Sequence, residues 1–343
     1  MKKQSIICRA VLFICVTCIS SFLGAQDLHF SQYFNAPLLV NPANTGFAPE
    51  VDYRVGINYR NQWANLLANP YKTMSVWGDA QLFNNRFENG WVGIGGALLR
   101  DVAGSGNLTA TRAFGSVAYH QLLGFSSLLS TGFNIGWINK RVDVSKLTFD
   151  NQWNGKFFDI GIPSGENFSY SQVGYFDLQA GINYAYFPND NMYLNAGFSA
   201  AHLNRPRESF FATGVSDTRV DPRLTLFLNG AFKLNDQWIV NPNAYISRMG
   251  NAMETVLGMN ANYNLSGDGQ MQLIGGIYYR VKDATIPMVG FQVKDFKLTV
   301  NYDATMSSLS SYNQTRGAYE LSLVKTGLYD SGGKDVKCPT VRF

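Results

Sequence analysis

Charge is scarce in this sequence. Asp, Glu, Lys and Arg make up 15% of its 343 residues, against roughly a quarter in ordinary soluble domains. The net charge of +4 is small and scattered, which argues against the concentrated basic face of a nucleic-acid binder. Cysteine is scarcer still. Cys8, Cys15 and Cys18 lie in the first 25 residues, leaving Cys338 alone in the rest of the chain. That excludes an intrachain disulfide framework once those residues are removed. The three histidines, His29, His120 and His202, form no H-E-x-x-H and no zinc-type spacing with cysteine. Long apolar runs are missing beyond the first 25 positions, so a multi-span helical membrane protein is excluded. Aromatics, by contrast, reach 14%, too many for a disordered chain.

The one apolar run is at the start. Lys2 and Lys3 precede Ile6, Ile7, Val11, Leu12, Phe13, Ile14 and Val16, and Leu23-Gly24-Ala25 follows. A basic region, an apolar stretch and small residues at a cut point describe a secretory signal peptide over residues 1–25. A membrane anchor would want a longer span. The segment carries Lys2, Lys3 and Arg9 and no acid, so its removal lowers the net charge from +4 to +1.

Beyond it, the period is two. Val51, Tyr53, Val55, Ile57 and Tyr59 fall on one face, and Asp52, Arg54, Gly56, Asn58 and Arg60 on the other. Strand alternation of this length has no helical counterpart. The pattern recurs in 71–83, 129–141, 176–186, 192–203, 223–233 and 254–265. Weaker versions occupy 91–101, 109–121, 238–248, 271–281, 286–294, 296–303 and 317–325, for about fourteen strands. Soluble sandwiches use strands of about 5–6 residues; these run nearer 10–13, the length a tilted membrane-spanning strand needs. The fold expected is therefore all-β, a transmembrane antiparallel β-barrel over 51–325, with a lead-in at 26–50 and a tail at 326–343.

Turn residues agree: Asn84-Asn85, Pro188 to Asn191, Asn235-Asp236 and Ser266 to Gly269 separate alternating runs. Tyr59, Trp63, Tyr71, Trp91, Tyr119, Trp137, Tyr184, Tyr186, Tyr193, Trp238, Tyr278 and Tyr279 cluster near strand ends, as interfacial girdles do. The faces expected to point inward are rich in Asn, Gln and Gly. They carry Asp52, Arg54, Arg60, Asp79, Arg223, Glu254, Arg280, Asp303 and Glu320, charges of both signs that suit a hydrated or plugged lumen rather than an ion-selective pore.

Two segments stand outside the pattern. Residues 143–175 form a long aromatic connection of the kind that is functional or packed against something. Residues 26–50 carry Phe30, Tyr33, Phe34, Leu38, Leu39 and Phe47 without period two. They either fold back into or under the barrel or serve as an ordinary structured lead-in. Within them, Asn41 stands as a cap before Pro42 at a first helical position, and Gly46 can end the turn. No catalytic constellation appears. Ser116 and His120 share a strand face, but spacing alone does not make a hydrolase. Gly104-Ser105-Gly106 reads as a flexible turn, since no helix follows it. No enzyme and no cofactor are expected.

The mature start reads Gln26, then Phe30-Ser31-Gln32-Tyr33, Pro37, Asn41-Pro42-Ala43 and Gly46. It resembles the opening of the PorP/SprF family, outer-membrane proteins of the type IX secretion and gliding machinery of Bacteroidetes. Val300 to Asp303, Ser308-Leu309 and Gly317 to Ser322 resemble the family's last two strands. Cys338-Pro339 and Arg342-Phe343 resemble its tail, with Thr340-Val341 inserted. The resemblance implies a non-enzymatic protein of the cell outer membrane, embedded in its lipids. Its implied partners are periplasmic ring or lipoprotein components of the machine, or a secreted adhesin-type cargo, and not nucleic acid. Gln26, Phe30, Ser31, Gln32, Tyr33, Pro37, Asn41, Pro42, Ala43 and Gly46 are the residues expected to contact a partner or plug the barrel. A diffusion porin or small-molecule transporter is the alternative.

Overall fold

The computed structural model describes residues 30–343 apart from 49, 88, 167, 212–217, 330–340 and 342, and apart from the side chains of 84–86. The expected signal peptide, Gln26, His29 and Cys338 lie outside the described residues. Fourteen strands follow one another: β1 (Tyr53–Gln62), β2 (Tyr71–Phe87), β3 (Gly90–Ala103), β4 (Leu108–Leu122), β5 (Ser127–Arg141), β6 (Gln172–Asn189) and β7 (Met192–Ala201). The second half is β8 (Arg223–Asn235), β9 (Trp238–Met249), β10 (Ala252–Asn264), β11 (Met271–Arg280), β12 (Ala284–Val293), β13 (Phe296–Thr305) and β14 (Arg316–Gly327). Each pairs antiparallel with its sequence neighbours, and β1 closes on β14. Closure leaves no strand edge unpaired, which a hydrocarbon environment requires.

The alternation in sequence becomes an outer and an inner wall. On β5, Leu129, Phe133, Ile135 and Trp137 are exposed on the outside, while Ser130 and Asn134 are buried inside. On β13, Leu298, Val300 and Tyr302 face out and Thr299, Asn301 and Asp303 face in. An apolar exterior around a polar interior is the arrangement of a membrane barrel. One end carries short turns, among them 190–191, 236–237 and 294–295, together with the entry to β1 and the exit from β14. At this end Asp268 accepts from Ser266, which holds its carboxyl below the usual range. The other end carries the long connections 142–171 and 202–222. These two pack together: the Ser169 and Tyr170 amides donate to Phe210 O at 3.1 and 3.0 Å, and Phe168 stacks on Phe211.

Three girdle assignments need correction. Trp91, Tyr193 and Tyr278 point into the barrel, because each sits one residue out of phase with the outward positions of its strand (Ile94 and Leu98 on β3, Phe198 on β7, Ile277 on β11). Proximity to a strand end says nothing about face. Asn84 and Asn85 belong to β2, which continues to Phe87 past a register shift between Leu82 and Phe87. Phe83 there adopts φ +61°, and the local bulge lets the strand run on.

Candidate functional site: a segment that crosses the lumen

Residues 30–48 lie inside the barrel and are held by their own short helical turns. A 3-10 turn covers Tyr33–Asn35, and Pro37 opens the helical turn Pro37–Val40. The Asn41 carboxamide oxygen then accepts from the Ala43 amide at 2.8 Å, and Pro42 stands at the first position of a second 3-10 turn, Pro42–Asn44. Both prolines occupy the place where a missing N–H costs nothing and a fixed φ helps. Gly46, at φ +64°, reverses the chain toward β1.

Toward the long-loop end the segment is gripped by ions. Glu320 accepts the backbone amides of Ser31 at 2.7 Å and Gln32 at 3.0 Å. The Ser31 hydroxyl donates to Asp303 at 2.7 Å. Arg60 pairs with Asp303 at 2.8 Å and with Glu320, and it also donates to the Ser31 hydroxyl at 2.9 Å. Arg280 donates to the same hydroxyl and pairs with Asp303 at 3.1 Å, Glu254 at 2.9 Å and Asp283 at 2.9 Å. Charges this buried persist only when each is matched by an opposite charge or a hydrogen bond, and here the segment's own backbone supplies two of the donors. Gln32 and Asn35 extend the grip to Asn301 and Thr299.

Midway, contacts turn apolar and steric. Tyr33 stacks on Tyr245 with ring centroids 4.8 Å apart, and Phe34 on Tyr278 at 5.3 Å. Phe30 and Leu38 bury themselves with Trp77, Ala97, Leu99 and Val324. On the opposite wall Asn41 donates to the carbonyls of Ile182 and Phe198 at 2.9 and 3.2 Å, and Ser199 donates to Val40 O at 2.7 Å. The wall is hollowed to admit the segment. A Cβ on Gly132 would lie 2.4 Å from Pro42 C, one on Gly181 2.1 Å from Asn41 Oδ1, and one on Gly93 1.9 Å from Thr45 O.

At the short-turn end the grip is again polar. His120 Nε2 lies 2.8 Å from Thr45 O, and its Nδ1 lies 2.7 Å from Ser130 Oγ. A carbonyl only accepts, so Nε2 carries the proton and Nδ1 accepts from the hydroxyl. Ser116 hydrogen-bonds Thr45, so Ser116 and His120 both serve the segment and not each other. Trp91 donates its indole N–H to Gly46 O at 2.8 Å and stacks on His120. The Gly46 amide donates to Asp79 at 2.7 Å, and Arg54 pairs with that carboxylate and donates to Asn44 O at 2.8 Å.

The chain thus bridges β13–β14 on one side to β4–β7 on the other as it descends from the long-loop end toward β1. Of the ten motif residues named from sequence, Gln26 lies outside the described residues. Phe30, Ser31, Gln32, Tyr33, Pro37, Asn41, Pro42, Ala43 and Gly46 all take part in this arrangement. Sequence reasoning missed Thr45 and the wall partners His120, Trp91, Ser130 and Asp79 as a set. Inward parity was the available signal for the four wall partners, since each of them lies on the lumen face of its strand; Thr45 lies on no strand and carried no such signal. Among the described residues, no group of three or more His, Cys, Asp or Glu side chains is placed to hold a metal ion.

Comparison with known proteins bears on this arrangement from outside. The family model described as type IX secretion system membrane protein PorP/SprF matches residues 23–324. No curated protein sequence matches the chain significantly. Among solved structures, a TodX monoaromatic hydrocarbon channel mutant superposes with a TM-score of 0.54 at 11% identity, over 86% of this chain and 94% of that one. The toluene transporter TbuX of Ralstonia pickettii does so with a TM-score of 0.51 at 12% identity, over the same shares. At such identities the likeness is one of fold alone.

Proposed function

The chain belongs to the PorP/SprF family of type IX secretion system membrane proteins, and from that premise we propose that it is an outer-membrane subunit whose lumen is plugged by its own N-terminal segment. It acts in export or surface attachment of secreted proteins, through contacts with machine components or with cargo. In this reading residues 1–25 are a signal peptide. The short turns face the periplasm and the long loops face outward, as is usual for such barrels. The partners are periplasmic ring or lipoprotein components on one side and an adhesin-type cargo on the other.

One observation carries the reading: residues 31–46 are hydrogen-bonded to opposite walls of the lumen. A diffusion pathway would want that space for solute. The family's motif residues are also the ones that hold the segment in place. The alternative, a porin or small-molecule transporter, draws on the channel-like fold neighbours, and they speak only to fold.

Planar-bilayer conductance of the purified full chain separates the two. Closed or briefly flickering behaviour is expected from the intact protein, and large steady channels from a variant lacking residues 27–46. Large steady channels from the intact protein would sink the plug. Affinity purification from envelopes, followed by mass spectrometry, tests the partners: machine components or a large secreted protein should come along with the intact chain, and recovery of neither contradicts the secretion role.

A further inference from the structure

In the short-turn half of the lumen, a cavity of about 560 Å³ separates the segment from the wall, a volume typical of small-ligand pockets. One row of the sheet runs along its wall side. Trp77 on β2 stands opposite Gly56 on β1, Gly56 opposite Val324 on β14, and Val324 opposite Lys297 on β13. The row continues from Lys297 to Gln292 on β12 and Gln272 on β11. Residues directly opposite in an antiparallel pair share a face, and here that face is the lumen. Phe34, Asn35, Ala48 and Glu50 form the segment side. At the short-turn end the cavity reaches the turns at Asp268-Gly269 and Lys294-Asp295, with Phe343 at its border.

Polar groups on both sides of this cavity are unmatched. Lys297 is half-buried and makes no ion pair or hydrogen bond among the described residues. Glu50 is also half-buried, and its buried Oε2 has no hydrogen-bond partner among them. Arg54 lines the cavity too, but its hydrogen bonds go to Asp79 and Asn44 O. The other charges, Asp268, Lys294 and Asp295, are exposed at the turns. Trp77 and Asn35 are 2% and 1% exposed, and Trp77 Nε1 and Asn35 Oδ1 likewise have no partner among the described residues. The Trp77 ring leans from β2 across Gly56, where a Cβ would stand 2.4 Å from its nitrogen, toward Val324 of the same apolar cluster. Charges and polar atoms so far removed from water persist when a partner meets them. The donors, Lys297 and the indole N–H, stand on the wall; the acceptors, Glu50 and Asn35, stand on the segment. A ligand matched to both sides carries an anionic group at one end and a cationic N–H group at the other.

We propose that this cavity binds an amino acid or short peptide in its zwitterionic form. Lys297, beside the Trp77 N–H, receives the carboxylate, Glu50 receives the ammonium, and the Gln272 and Gln292 carboxamides line the path between them. The proposal goes beyond the secretion role and does not depend on it. It needs only the segment in place, since Asn35 and Glu50 belong to the segment side, and a bound peptide ties that side to β13.

The test is calorimetric titration of the full chain in detergent at low ionic strength, with alanine, dialanine, trialanine and acetate. Saturable binding at one site per chain is expected for at least one of the three zwitterions, and acetate should bind at least tenfold more weakly. Acetylating the amine of the best binder, or amidating its carboxylate, removes one charge and should weaken binding at least tenfold, the order of one charge-assisted contact. Two variants assign the ends. Lys297→Met should bind the parent compound and its amide equally, and Glu50→Gln the parent and its acetyl form equally. Heat-modified gel mobility reports whether each variant has folded, and if one fails to fold the other decides. No saturable binding by any zwitterion, acetate or capped forms binding as tightly as the parent, or wild-type affinity in the folded variants would overturn the site.

Discussion

Replacing Glu320 with glutamine removes one charge from the lumen with little change of shape. In the wild type the carboxylate accepts the Ser31 and Gln32 amides and pairs with Arg60. Hydrogen bonds to a charged group contribute about 1.5–3 kcal/mol each. Glutamine keeps one oxygen for one amide and turns its NH₂ toward the other, donor against donor. One charge-assisted bond is lost and one buried N–H is orphaned, while Arg60 retains Asp303 at 2.8 Å. The net cost to holding the segment is about 2–3 kcal/mol. Because the barrel ladder is untouched, the loss should appear as local opening, read by hydrogen exchange. The Ser31 and Gln32 amides should exchange roughly 30- to 150-fold faster in E320Q, at one decade per 1.4 kcal/mol, with strand amides unchanged. A change under threefold would mean that Glu320 does not hold the segment. An equal rise across β13 and β14 would mean that the ions stabilise the barrel instead.

Other perturbations probe the remaining contacts. Gly132→Val places a side chain against the Pro42 backbone, where even a Cβ would sit 2.4 Å away. The segment should be expelled from a folded barrel, and limited proteolysis should then cut within residues 30–48 while the wild type resists. Trp91→Phe deletes the donor to Gly46 O; urea unfolding should show a loss of about 1–2 kcal/mol for the orphaned carbonyl, with His120 still covered by an aromatic ring. Leu226→Arg tests the outer wall, because Leu226 is 51% exposed on the face assigned to lipid. It should lower stability by about 2–4 kcal/mol in lipid vesicles if it lies near the bilayer midplane, whereas a neutral effect would contradict the outward assignment.

Much of the barrel was legible because a strand writes its two environments into alternate residues. Leu224, Leu226 and Leu228 against Arg223 and Thr225 state both the element and its faces. Turn chemistry helped where a tight reversal needed Asn, Asp or Gly, as at Ser266 to Gly269, and misled at Asn84-Asn85, where a bulge let the strand continue. Girdle reasoning failed at Trp91, Tyr193 and Tyr278 for a different cause. An aromatic ring suits both a membrane interface and a packed lumen, and only its phase within the strand distinguishes the two.

The sequence by itself determined that this is an antiparallel-barrel chain with short helical turns near Asn41. Those features depend on neighbours a few residues away: the period of two, the cap before a proline, the glycine after the turn. The tertiary structure alone decided what the lead-in touches. Ser31 meets Glu320 across 289 positions, and Thr45 meets His120 across 75. Nothing local relates such residues, because barrel closure brings them together, and the register of distant strands sets which carboxylate or imidazole stands opposite which amide. The scarcity of charge also acquires a location. Arg60, Arg280, Asp303 and Glu320 are spent inside the lumen on one another and on the segment, because the lipid-facing wall can hold none of them cheaply.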